Sequence, residues 1–168
     1  MTGRYLRRRK YYRTLKRTKY SNETYAAITK ASFQAANQYY ATMIKETNIL
    51  ATRKVKNFTL TFSTNADGPF FWALVYVPEG TSPSNLNAGS GFDTSHPQQF
   101  NVLSMYEPNQ NVIMSGTFGG SQGQTIRYKT RLARNLCSGD QIMLIYRPIA
   151  NYSSDVTVIS MLNYAICF

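Results

Sequence analysis

KVKNFTLTFS, Lys54 to Ser63, sets apolar Phe58, Leu60 and Phe62 against polar Asn57, Thr59, Thr61 and Ser63. Strict alternation marks a strand with one face buried, because successive side chains leave a strand on opposite sides. PFFWALVYV, Pro69 to Val77, is instead apolar at both parities and rich in aromatic and β-branched residues, as a strand covered on both faces is. Further runs of strand character follow. They are FNVLSMY (Phe100–Tyr106), NVIMSGTF (Asn111–Phe118), QTIRYKTRL (Gln124–Leu132), DQIMLIYR (Asp140–Arg147) and DVTVISMLNYAICF (Asp155–Phe168). Turn signals part them at Glu107-Pro108-Asn109, Gly119-Gly120-Ser121, Ser138-Gly139-Asp140 and Asn151–Ser154. Seven or eight short strands with no clear helix between them predict an all-β fold, a single jelly-roll sandwich of about eight antiparallel strands. The last run is apolar on both faces, which places it in the middle of a sheet.

Upstream the pattern is mixed. Asn37–Thr47 predicts a strand, whereas Tyr25–Tyr39 carries some helical periodicity. The chain therefore divides into an arm (residues 1–21), a connecting segment that includes the first strand (22–50) and a jelly-roll body (51–168). Between Glu79 and Gln98 runs a loop rich in Gly, Ser, Asn and Pro, long enough to carry surface function. The 13 Tyr and 9 Phe exceed what one small core needs, with Phe70, Phe71, Trp72 and Tyr76 the conspicuous surplus. Aromatic residues are favoured where subunits meet, so association of copies is expected.

Charge is divided unequally. The 168 residues hold 19 Lys and Arg against 8 Asp and Glu, a net of +11. Nine of the basic residues and no acidic one fall before Ser21, leaving ten against eight in the rest. A basic tail on a nearly neutral body points to a polyanionic partner. No apolar run is long enough for a membrane span, so no membrane insertion is expected.

Catalytic chemistry has little to work with. His96 is the single histidine, with no Cys or carboxylate at ligand spacing, so neither a metal nor a cofactor is expected. Most acids sit at turn-forming positions, and none pair at a spacing that proposes a general acid and base. An enzyme is not expected. Cys137 and Cys167 fit buried thiols of a reducing compartment better than a disulfide.

Arg4, Arg7, Arg8, Arg9, Lys10, Arg13, Lys16, Arg17 and Lys19 are candidate phosphate contacts. Each contact releases condensed counterions, which gives affinity without sequence preference. Tyr5, Tyr11, Tyr12 and Tyr20 offer ring faces on which unpaired bases stack, favouring single strands over duplex. The same clusters suit a nuclear-localisation signal. A second basic set is Arg127, Lys129 and Arg131, which alternate with Ile126, Tyr128, Thr130 and Leu132 and so would share one face of a strand. Ordinary solvent-facing charge accounts for that pattern equally well.

An Arg-rich, Tyr-interleaved start before one β-sandwich resembles the capsid proteins of small circular single-stranded DNA viruses, the circovirus-like group. Thr52–Ser63, Tyr106–Gly116 and Arg131–Arg147 carry the resemblance together with the arm, about half of the chain. It implies a T=1 icosahedral shell of about 60 copies, a homo-oligomer. It further implies an arm turned inward onto a single-stranded DNA genome, and location in the virion and, during assembly, the host nucleus, reached through a host import receptor. Charge and stacking serve RNA equally, so a satellite RNA-virus coat protein and a cellular single-strand-binding or ribosomal-type protein are the alternatives.

Overall fold

The strands are β1 (Ser21–Ala31), β2 (Tyr39–Ile44), β3 (Arg53–Thr64), β4 (Gly68–Val77), β5 (Val112–Gly120), β6 (Thr125–Leu136), β7 (Gln141–Pro148) and β8 (Val156–Cys167). The computed structural model describes residues 19–34, 37, 39–81, 112–120, 124–148 and 150–167. The arm up to Arg17, loop residues 82–98 and the run Phe100–Tyr106 lie outside the described residues.

Two four-stranded sheets face each other, β1-β8-β3-β6 and β2-β7-β4-β5, with every neighbour antiparallel. Four ladders join β1 to β8, β2 to β7, β3 to β6 and β4 to β5. That set is one long antiparallel hairpin wound on itself, which is the jelly-roll order. Ladders β3·β8 and β4·β7 complete the winding and put the two most apolar strands inside their sheets.

The helical periodicity around Tyr25–Tyr39 does not become a helix. β1 runs in unbroken register against β8, from Ser21 opposite Ile166 to Ala31 opposite Val156. Tyr25, Ala27, Thr29 and Ala31 are half-buried while the residues between them are exposed, so the ladder with a central strand overrides the weak local preference. Segment 22–50 thus supplies β1 and β2, one strand to each sheet.

Much of the supposed aromatic surplus is core: of the four residues singled out, Phe70 and Trp72 are buried, while Phe71 and Tyr76 are half-buried. Phe33, Phe58, Phe62, Phe70, Trp72, Phe118 and Tyr146 are each at most 2% exposed and form one cluster between the sheets. Phe62 lies 5.4 Å from both Trp72 and Phe118, and Trp72 lies 4.6 Å from Tyr128. Gly116 makes room for the indole, since a Cβ there would sit 3.2 Å from the Trp72 ring. A second aromatic group, Phe33, Tyr39, Phe70, Tyr146 and Tyr152, packs edge-on and stacked towards one end. Phe70 and Trp72 are therefore not available for subunit contacts. The large apolar side chains that do face solvent include Ile28, Ile49, Leu50, Leu132, Ile159 and Met161.

Residue parity changes within β3. Val55 and Phe58 are both fully buried although three residues apart, and Asn57 between them has φ 57°. Asparagine tolerates this left-handed conformation better than most residues. Asn57 and Phe58 lie against the single Tyr164 of β8, whereas Arg131 and Leu132 of β6 lie against the single Asn57. β3 thus carries one extra residue against β8, and β6 one extra against β3, so that two bulges adjoin at Asn57, a double bulge across the sheet.

Beyond β6, the Asp140 carboxylate holds the end of the sandwich. It accepts the Cys137 N–H at 2.7 Å, the Tyr76 hydroxyl at 2.7 Å and the Glu79 N–H at 3.2 Å. Burial, then the hydrogen bond to Asp140, pushes the Tyr76 hydroxyl up to about 12. Buried Arg53 donates to the carbonyls of Lys45 and Asp140, tying β3 to the same corner. Neither Cys137 nor Cys167 forms a disulfide; Cys167 is buried as expected, but Cys137, in the turn after β6, is exposed.

Candidate nucleic-acid interface

Alternation fixes which side chains share the outer face of sheet β1-β8-β3-β6. Across the four strands, register gives rows Thr24–Asn163–Thr59–Lys129 and Ala26–Met161–Thr61–Arg127. Asn22–Ala165–Lys56–Ala133 lies one row the other way. Arg127, Lys129 and Arg131 are all exposed on this face, as the sequence pattern required of a half-buried strand. Beside them β3 presents Thr59, Thr61 and Ser63, a file of hydroxyls next to a file of cations. Cations two residues apart on one strand stand about 7 Å from each other, a repeat that an extended polyanion backbone can follow.

Lys54 and Lys56 belong to the same face and were not singled out in the sequence. Both precede the Asn57 bulge, where parity reverses, so the exposed side of KVKNF is its even positions and that of FTLTFS its odd ones. An even–odd count through the whole stretch splits these lysines from the threonines that they adjoin. The alternation Lys54-Val55-Lys56 was the available signal.

Lys19 and Tyr20 are the arm residues that the structure describes. Tyr20 precedes β1 and takes the next place in its outward parity. The Lys56 ammonium stands 3.7 Å from the centroid of the Tyr20 ring. Since β8 runs between β1 and β3, this contact crosses over β8 at Ala165 and Cys167, two small residues that are only 6% and 8% exposed despite facing outward. The root of the arm is thus laid on the face that carries Lys54, Lys56, Arg127, Lys129 and Arg131.

Around Lys54, Lys56, Arg127, Lys129 and Arg131 the register places no carboxylate among the described residues. Glu23 of β1 is exposed but stands opposite Tyr164, in the row that faces the core. Asp140 is buried, Asp67 and Glu79 sit in turns, Glu46 lies in the connection after β2, and Asp155 lies 3.7 Å from Lys30 at the far end of the sheet. The body's near-neutral sum therefore conceals a one-sided distribution, and such a field concentrates polyanions at one face. The other end of the face is apolar: Ile28 pairs with Ile159, and Ala26 with Met161.

Lys56→Gln should free the root of the arm. A partly exposed cation–π pair contributes about 0.5–1 kcal/mol. Trypsin should then cut after Lys19 roughly two- to fivefold faster in the variant subunit, as followed by mass spectrometry. An unchanged rate would mean that Lys56 does not hold Tyr20.

No protein-family model matches the chain, and no curated protein does. Among solved structures the chain is similar to Eiger TNF from S. frugiperda, at 8% identity over 88% of this chain and 92% of that one, with a TM-score of 0.39. It is similar to the desmodium yellow mottle tymovirus structure at 14% identity, 87% coverage of each chain and a TM-score of 0.32. It is also similar to a mutant VP2 protein of infectious bursal disease virus in derived T=1 particles. That match has 9% identity over 86% of this chain and 39% of that one, with a TM-score of 0.27.

Proposed function

We propose that this chain is a capsid protein that assembles into a small icosahedral shell, T=1 with about 60 copies. On this reading its basic arm and the outer face of sheet β1-β8-β3-β6 together hold a single-stranded DNA genome. The observation that carries the reading is the joining of arm and face. Tyr20 stands over Lys56, so the arm departs from the face that carries the body's cations. One-sided charge suits a shell subunit, because one side meets the genome and the other meets solvent. A cellular strand-binding protein can share that feature, and assembly into shells is what separates the two.

The resemblance of the arm and of Thr52–Ser63, Tyr106–Gly116 and Arg131–Arg147 to circovirus-like capsid proteins supports the DNA assignment. The jelly-roll order supports shell formation, since this sandwich is a recurrent building unit of viral capsids. Lateral contacts between copies fall to exposed apolar side chains outside the core, such as Ile49 and Leu50 in the connection after β2. The arm's basic clusters would serve nuclear import as well as packaging.

Light scattering and negative-stain microscopy of the purified chain at physiological salt provide the test. The expected result is uniform particles of about 60 subunits whose contents resist nuclease until the shell is opened, then yield to a single-strand-specific DNase. A monodisperse monomer in the presence of nucleic acid would overturn the capsid reading, and contents digested by RNase alone would overturn the DNA assignment.

A further inference from the structure

The double bulge opens a shallow cleft of about 460 Å³ on the basic face, lined by Asn57, Phe58, Thr59, Lys129, Thr130 and Arg131. We propose that this cleft is a second, discrete binding site that seats a backbone phosphodiester of an extended single strand, with Lys129 and Arg131 as its cationic partners and Asn57 and Thr59 as neutral hydrogen-bond donors. The inference rests on the packaging function proposed above and adds a fixed contact point on the body to the arm's diffuse attraction.

Three independent features converge here. The first is charge: Lys129 and Arg131 are exposed and, among the described residues, meet no carboxylate. Two cations of one sign at the wall of a concavity repel each other, and an anion between them relieves that repulsion. The second is backbone geometry. Bulges re-aim side chains, and this one turns Asn57 out of the alternation at φ 57°, leaving its amide exposed at the cleft. A non-glycine residue held in the left-handed region is uncommon within a strand and concentrates at functional positions. The third is the donor set. Thr59 pairs directly with Lys129 in the ladder and both line the cleft, so a hydroxyl-bearing and a cationic side chain share one row. A phosphodiester needs this combination, because its two free oxygens accept both charge-assisted and neutral hydrogen bonds.

The cleft also fits the path of the chain. Tyr20 anchors the arm at Lys56, and Lys56 immediately precedes Asn57. A strand engaged by the arm therefore reaches the face within one residue of the cleft, and Lys129 and Arg127 continue the line along β6. The absence of an exposed aromatic ring among the lining residues makes the site a reader of backbone, not of bases.

The test uses the full chain, disassembled at high salt and titrated with fluorescein-labelled oligothymidylate over a range of salt concentrations. Lys129→Ala/Arg131→Ala is compared with Lys45→Ala/Arg134→Ala, which removes the same charge away from the outer face, since Lys45 lies in the connection after β2 and Arg134 pairs with buried Val55. Losing two phosphate contacts should lower the slope of log K against log salt by about 1.4 and weaken binding roughly 10- to 30-fold at 0.1 M salt. The control pair should stay within about twofold of wild type. Asn57→Gly keeps the left-handed backbone accessible while removing the amide. It should weaken binding about two- to fivefold with the slope unchanged, since a neutral donor releases no counterion. If Lys129→Ala/Arg131→Ala behaves as the control pair does, the cleft proposal is overturned even where shells form and arm variants lose affinity. If the wild-type chain shows no salt-dependent binding, the packaging reading falls and the cleft with it.

Discussion

Replacing the eight arm cations from Arg4 to Arg17 with Gln is expected to abolish most of the affinity for non-specific single strands. Each phosphate contact contributes about 0.7 to the salt slope on single strands, so eight lost contacts lower it by roughly 5–6. Extrapolated to 0.1 M salt, that is a loss of about 10⁵-fold if every cation is engaged. Residual binding should keep a slope of about 4, from Lys19, Lys54, Lys56, Arg127, Lys129 and Arg131. Glutamine preserves length and polarity, so the comparison isolates charge. Shells formed by the variant should carry far less nucleic acid, read as a fall in the 260/280 nm absorbance ratio. A variant that binds as tightly at equal salt would shift the whole role to the sheet face and sink the arm hypothesis.

The residual slope is informative because it separates two layers of one surface. In the proposed shell of about 60 copies, nine arm and five face cations would make on the order of 800 positive charges, each able to neutralise one phosphate. The arm's share would act without sequence preference. The face's share is fixed by β-sheet register and lies where Tyr20 meets Lys56. On the proposed reading a strand caught by the first would be handed to the second, favouring an ordered layer of nucleic acid against the sheet over a uniform fill of the interior.

Much of the fold could be read from periodicity, because β3 and β6 each turn one parity of an alternating run inward. β4 announced itself by the opposite sign, being apolar at both parities. Ala73, Val75 and Val77 duly form a second buried cluster on the outer side of its sheet with Met143 and Ile145. β1 was harder, since Tyr-Ala-Ala-Ile satisfies helical and extended patterns alike and only its ladder with β8 decides between them. At the interface, Arg127, Lys129 and Arg131 followed from alternation alone. Lys54 and Lys56 did not, because one asparagine at φ 57° reverses the parity on which their placement depends. Phe70 and Trp72 misled for a different reason: composition counts aromatic residues but not the small partners, such as Gly116, that let one core absorb them.

Asp140 shows the same limit at the scale of one side chain. In sequence it is an acid in a Ser-Gly-Asp turn, and that turn is present. What the turn does there depends on partners 61 and 64 residues away, Glu79 and Tyr76. Asp140→Ala would leave two backbone N–H groups and one phenol without their acceptor in a corner where Asp140 is only 5% exposed. Each orphaned donor costs about 1–3 kcal/mol, so the subunit should lose roughly 3–5 kcal/mol, allowing for some rescue by water. Gly139 leaves no slack for repacking, because it holds φ 78° with the Glu79 side chain pressed against the place of its missing Cβ. Asp140→Asn is the graded companion. Its oxygen can still serve Tyr76 and Cys137, while its amide meets the Glu79 N–H donor to donor. A loss of about 1–2 kcal/mol is expected from that single conflict. Urea unfolding of the dissociated subunit measures both, with the midpoints falling in the order wild type, Asn, Ala at constant m. Since β4 and β6 end and β7 begins at this corner, the Ala variant should also fail to form shells at 37 °C, whereas the arm variant should not. Equal stability of Asp140→Ala and wild type would mean that the carboxylate does not hold the corner, and the tie from Arg53 to the Asp140 carbonyl would then be its principal support.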